Sequence, residues 1–305
     1  MRITPTLCLT ALGTAALLLV APAANASPGQ VVTDLTTATA QQLADSIAGS
    51  GFTTSNVVYT GSPRAAGLFT GMSASGIDSG VVLSSGSVVD IVGPNDGNFS
   101  GGSFNLAGDT DIDALIAPLT SEDASVLEFD FVPTGTLLSF QYVFGSEEQP
   151  VDSSTPFADA AALFINGVNC AVVPDGAGGT SPVTNATVNP TTNAALYRDN
   201  TSSAIDVEFE GLTTVLTCTA PVTAGAVNTF KLVVADASDA SVDAAVLIQA
   251  GAVTVTAPPI PAPAATPLLA ATGTDSLALV GAGGLAVLLG IATLGFRRRR
   301  STVTA

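Results

Sequence analysis

Two neighbouring stretches of this chain alternate apolar and polar residues with a period of two, and they set the class of fold open to it. In residues 126–132, Leu127, Phe129 and Phe131 alternate with Glu128 and Asp130. After Pro133-Thr134-Gly135 the same period returns in Leu138, Phe140, Tyr142 and Phe144. Successive side chains of a strand point to opposite faces, so each stretch offers one apolar face and one wetted face. Residues 56–59 (the first strand expected), 80–84, 161–165, 206–210, 212–218, 230–235 and 245–256 add further strands between Gly-, Pro- and Asn-rich turns. Residues 39–48 carry Leu43 and Ile47 on one face and predict one short N-terminal helix, ended by Gly49-Ser50-Gly51. Residues 94–108 predict a loop, and 109–115 a brief helical turn. Many short strands and few helices predict a mainly all-β fold: an antiparallel β-sandwich, or a jelly-roll-like domain.

The two ends of the chain carry signals of another kind. Arg2, an apolar stretch over residues 7–20 and Ala24-Asn25-Ala26 have the order of a secretory signal peptide, with cleavage expected between Ala26 and Ser27. At the other end, residues 277–296 hold no charged side chain and are followed by Arg297–Arg300. Twenty helical residues span about 30 Å, the hydrocarbon thickness of a bilayer, and the arginines are expected to stay cytoplasmic. Directly before this C-terminal transmembrane helix stands Leu269-Ala270-Ala271-Thr272-Gly273. It resembles a sortase sorting signal in the L-A-x-T-G form used by class E sortases; Ala270 stands where the commonest form has proline. The resemblance implies cleavage between Thr272 and Gly273 and joining of Thr272 to a peptidoglycan precursor, after a transient stay in the membrane. The expected organisation is a signal peptide at 1–26, one domain at 27–256, a Pro/Ala-rich stalk at 257–268 and a sorting signal at 269–305. The stalk spans roughly 35 Å if it is polyproline-like.

Composition narrows the chemistry. Residues 27–272 hold three basic and 24 acidic side chains, a net charge near −21. Nucleic acid and anionic lipid are poor partners for such a surface, and divalent cations are good ones. The chain has no histidine, which excludes Ser-His-Asp and Cys-His catalysis and His-ligated zinc. It has no tryptophan and three tyrosines, a poor supply for stacking sugars. Cys8 is expected to leave with the signal peptide. Cys170 and Cys218 remain as an even pair in an oxidising compartment, so a disulfide is expected, with two buried thiols as the alternative.

Five segments in order resemble the choice-of-anchor L domain, a bacterial extracellular module. They are residues 80–86 (GVVLSSG), 93–95 (GPN), 126–132 (VLEFDFV), 139–148 (SFQYVFGSEE) and 234–248 (VADASDASVDAAVLI). The likeness runs from about Val31 to Ala252. It departs after the glutamate pair, where Gln149 replaces a common aromatic. The resemblance implies a β-rich surface domain without an assigned enzymatic activity.

The acidic residues gather in its two most specific motifs: Glu147 and Glu148 after one strand, Asp159 before the next, and Asp236, Asp239 and Asp243 in one short stretch. An all-oxygen, carboxylate-rich set outside the cell suits Ca²⁺, so these six are candidate calcium ligands in one or two sites. The alternative is a turn whose aspartates cap backbone amides. Residues 109–113 (DTDID) look like the start of an EF-hand loop, but Ala114 and Thr120 stand where Gly and Glu are required. A carboxylate-pair glycosidase needs two acids facing one another across a sugar; adjacent Glu147 and Glu148 would point apart in an extended chain. Residues 176–179 lack the lysine of a phosphate loop. Asn98, Asn185 and Asn200 have the N-glycosylation pattern, with no modification expected. The leading expectation is a non-enzymatic display or adhesion module taking an extracellular glycan or protein ligand. A structural envelope protein and a glycan hydrolase are the competing classes.

Overall fold

The computed structural model describes residues 29–97, 102–149, 158–251 and 253–255. The signal peptide, stalk, sorting pentapeptide and apolar run at 277–296 lie outside the described residues. Among the described residues, no helix is long and apolar enough to cross a membrane.

The chain opens with β1 (Val31–Asp34), α1 (Ala40–Ala48), β2 (Phe52–Thr60), β3 (Ala66–Thr70) and β4 (Ser79–Ser84). It continues with α2 (Thr110–Ile116), β5 (Ser121–Pro133), β6 (Leu137–Ser146), β7 (Ala160–Ile165), β8 (Val168–Asn169), β9 (Val172–Pro174) and β10 (Thr180–Thr184). The last strands are β11 (Tyr197–Asp199), β12 (Gly211–Thr213), β13 (Leu216–Pro221), β14 (Asn228–Ala237), β15 (Ala244–Gln249) and β16 (Val253–Val255).

They form two antiparallel sheets. In the first, β1-β3-β4-β15-β6-β12-β11 lie side by side, and β13 and β16 also pair with β6. In the second the order is β2-β5-β14-β7-β10-β9, with β8 beside β7. The expected sandwich is present.

Alternation distributes the side chains over three apolar layers. Leu127, Phe129 and Phe131 of β5, Phe140, Tyr142 and Phe144 of β6, Phe230, Leu232 and Val234 of β14, and Val246 and Ile248 of β15 fill the seam between the sheets. Phe129 and Phe230 stack there at 4.4 Å between ring centroids. The apolar residues between them face outward and are covered as well, whereas polar ones such as Glu128 of β5 and Gln141 of β6 stay exposed. Val82, Ala245 and Leu247 pack beneath Ile91, Val207 and Phe209 on the first sheet. Val126, Val233 and Ala235 pack beneath Ile112 and Ile116 of α2 on the second. Because both faces are buried, β4, β7 and β15 read as continuous apolar runs while β5 and β6 alternate.

Helix α1 begins in a capping box, Thr39 accepting from the Gln42 backbone while the Gln42 side chain accepts from the Thr39 N–H. It buries Leu43 and Ile47 in the seam. It ends at Gly49, with φ of 54°, where an added Cβ would lie 2.7 Å from the Gly251 Cα.

Several expectations need correction. The first strand is β1, not residues 56–59, and β3, β8, β9, β10 and β11 went unread because each is short. The turn at 109–115 is a second helix capped by Asp109. Residues 206–210 form no strand beyond a bridge at Val207 to Val92. Their apolar side chains cap the first sheet, and the Asn200 side chain takes over the backbone pairing, donating to the carbonyls of Val207 and Phe209 and accepting from the Ile205 N–H. Residues 212–218 divide between β12 and β13, and 245–256 between β15 and β16.

Cys170, beside β8, and Cys218, on β13, form the expected disulfide, with Cα atoms 5.2 Å apart. It joins the two sheets across the seam. Its reduction removes about 4 kcal/mol of stability in the chain-entropy account for a 48-residue separation; urea unfolding with and without reductant measures the loss. Truncating Phe230→Ala opens the aromatic centre of the seam and lowers stability by about 3–5 kcal/mol, which equilibrium denaturation of the variant checks.

Candidate functional site

The inward column of β14 runs Phe230, Leu232, Val234 and then, two residues further on, Asp236. The same period that builds the core sends this carboxylate toward the seam. On the neighbouring strand β7, Ala161 pairs with Val234 and Ala160 with Ala235. One step beyond the last pair of that register stand Asp159 and Asp236, close enough that the charge of one raises the other, and two ionised carboxylates there would be an unfavourable cross-strand combination. Both residues are 1% exposed.

Their partners are unequal. Asp159 accepts from the Ser146 hydroxyl at 2.9 Å and from the Ala237 N–H at 3.3 Å. Neither oxygen of Asp236 has a hydrogen-bond partner of sound geometry. Ser85 lies near enough to favour its ionised form slightly, but the Ser85 hydroxyl is placed to donate to the Ala244 carbonyl and accepts from the Ala244 N–H. Burial, then the charge of Asp159, push Asp236 up to about 10. Burial first, and next Glu148, hold Asp159 well above the carboxylate range.

The other four candidate acids surround this pair at different depths. Glu148 receives the Asn185 amide at 2.9 Å, and its own N–H donates to Ser146 Oγ at 3.0 Å. Burial raises it to about 7, with Asp239 adding to the rise and Asn185 opposing it. Asp239 accepts from the Ser241 N–H at 3.0 Å, a turn-capping bond of the kind that the alternative reading assigned to it. Glu147 is buried, and its N–H donates to the Asp243 carbonyl at 3.0 Å. Asp243 packs against Gly86, has one oxygen without a partner and is raised to about 7, chiefly by burial. All six acids therefore belong to one end of the sandwich, but as they stand no three His, Cys, Asp or Glu side chains among the described residues are gathered closely enough to hold a metal ion.

Three contributors were missed in the sequence. Asp123 sits with φ of 48° where the β5–β14 register shifts, and its carboxylate accepts from Ser103 and the Phe104 N–H. Ser146 is the hydroxyl shared between Asp159 and Glu148. Asn185 is fully buried, donates to Glu148, and leaves its carbonyl oxygen unpaired. The N-x-T pattern drew attention to Asn185 for another reason; its burial and that of Asn200 make both structural residues. Gln149, at the departure from the motif, donates to the carbonyls of Asn185 and Val188 and so pins this loop.

Elsewhere, residues 109–113 serve as the start of α2. Asp109 caps the helix and, with Asp111, pairs with Lys231 at 2.7 and 2.6 Å. A groove of about 360 Å³ beside it is lined by Thr60, Leu106, Ala107, Asp109, Val126 and Glu128.

The fold and its acidic end define a disulfide-bridged, strongly acidic antiparallel β-sandwich. The chain belongs to the choice-of-anchor L domain family, whose sequence profile matches residues 30–254. Membership points to an extracellular, surface-anchored protein. Neither the curated proteins nor the solved structures include a match.

A titrating group away from the acidic end gives a separate test. Glu208, 7% exposed, is raised from 4.5 to about 7, by burial first and then by Asp96, with Glu210 adding a smaller rise. An acid whose folded value is raised costs stability once ionised, so the loss starts as the pH rises past 4.5 and is complete above about 7. Glu208→Gln removes this loss. After allowance for solvent screening the variant is more stable than the wild type by about 1 kcal/mol at pH 8 and equal to it at pH 4, as paired urea titrations at the two values show.

Proposed function

We propose that this is a cell-wall-anchored surface protein that displays its sandwich as a binding module, without catalysis. The observation that carries the reading is the order of the C-terminal signals: Leu269-Ala270-Ala271-Thr272-Gly273, an uncharged run at 277–296 and Arg297–Arg300, behind a family domain that occupies 30–254. A class E sortase would cleave after Thr272 and join it to a peptidoglycan precursor. The Pro/Ala segment at 257–268 would then hold the domain clear of the membrane.

The charge supports a ligand that is neutral or cationic, either a glycan or a protein, and disfavours nucleic acid. The described residues offer no histidine and no thiol outside the disulfide for nucleophilic chemistry. The groove beside Asp109, with apolar walls and Glu128 at its edge, is the surface we assign to ligand capture.

Thr272→Ala is expected to abolish covalent linkage. The wild type stays with the wall after boiling in detergent and is released by muralytic digestion, whereas the variant moves to the detergent extract. Full detergent extraction of the wild type would leave a simple membrane anchor and end the sorting reading.

A further inference from the structure

The acidic end of the sandwich holds an excess of buried acceptors with no cation beside them. Asp159 and Asp236 lie near one another just past the last β7–β14 pair, each at 1% exposure. Both Asp236 oxygens lack partners. Independently, Asn185, a neutral residue at 0% exposure on a different loop, has its carbonyl oxygen unpaired while its NH₂ holds Glu148. Lys231 and Arg198 are engaged elsewhere, with Asp109 and Asp111 and with the Ser75 and Ala74 carbonyls. The Arg64 guanidinium donates to Ser87. An orphaned carboxyl and an orphaned amide oxygen in one region call for a proton on the acid, an ordered water or a metal ion.

We infer that Asp159, Asp236, Glu148 and the Asn185 carbonyl form a calcium-binding site that fastens the two sheets together at this end. Only oxygens are on offer, and the chain has no histidine for a softer metal. Ca²⁺ accepts an irregular shell of 6–8 oxygens completed by water, whereas Mg²⁺ demands a strict octahedron. Without the ion, burial keeps the Asp159 and Asp236 carboxyls protonated, and among the described residues the set of three is not closed. The segments concerned are the end of β6 in one sheet, the ends of β7 and β14 in the other, and the loop after β10. This inference rests on the sandwich fold and is independent of sorting, since its readout is stability.

The test is a thermal melt of the full chain in detergent micelles, with chelator and then with calcium from about 0.1 to about 10 mM, the range of extracellular calcium modules. A saturable rise in midpoint is expected, of roughly 3–6 °C at tenfold excess over the dissociation constant, with magnesium much less effective. Asp236→Asn tests the site directly. If calcium binds here, the variant loses the rise, while in chelator it melts close to the wild type, because the amide replaces a carboxyl that burial keeps protonated without the ion. Asn185→Ala, which leaves every charge in place, weakens calcium binding by roughly tenfold and keeps the inference testable should Asp236→Asn not fold. A wild type indifferent to calcium overturns the site and leaves the carboxyls protonated. A calcium rise that survives both substitutions overturns it too, by placing the ion elsewhere on the acidic surface.

Discussion

The inward column of β14 carries the architecture. Phe230, Leu232 and Val234 close the seam against β5, β6 and β15, and the stack of Phe230 on Phe129 lies in it. Every other layer is attached to these strands. The outward residues Val233 and Ala235 carry α2, and the outward residues of β15 carry the 205–209 segment. Alternation admits no exception at the strand's end, so Asp236 arrives in an inward position that an apolar residue would satisfy at no electrostatic cost. A carboxylate there, opposite a second one from β7, is a local conflict in a chain otherwise consistent at every level. Such conflicts mark function more often than packing.

The legible parts of the fold were those where one rule acts alone. β5 and β6 were read from strict alternation, α1 from its apolar face and the Gly-Ser-Gly that ends it, and the disulfide from an even pair of cysteines. Reading failed where tertiary contacts replace local ones. Residues 206–210 have the composition of a strand, but Asn200, outside the segment, satisfies their backbone. β1 and β3 are mutual partners on the outer edge of the first sheet, held by pairing rather than by a pattern of their own. The division of 212–218 follows from β6, which takes β12 near Ser146 and β13 from Tyr142 onward, leaving the residues between unpaired with it.

For the acidic end, the sequence supplied the residue types and motif order but not the depth. Six acids close in sequence motifs suggested one set. The structure separates Asp159 and Asp236, which are buried and opposed, from Asp239, which caps a turn, and from Asp243, which leans on Gly86. Asn185 could not be found by counting carboxylates, since its contribution is a neutral oxygen brought in by a loop 26 residues beyond Asp159. Lys231 was likewise unassigned: its partners, Asp109 and Asp111, belong to the helix that a failed EF-hand pattern had singled out.

The two ends of the seam are held by opposite means. Cys218 pairs with Phe140 on β6, and Ser146 lies six residues further along that strand, about 20 Å at strand spacing. At the first position a disulfide crosses between the sheets. At the second, hydrogen bonds from Ser146 and Asn185 cross to the buried acids Asp159 and Glu148. The seam thus has a covalent staple at one end and, in the calcium reading proposed above, a metal ion at the other. The first yields to reductant and, on that reading, the second yields to chelator. Two different solution variables would then act on the same pair of sheets, one at the Cys218 end of β6 and one where β6, β7 and β14 terminate.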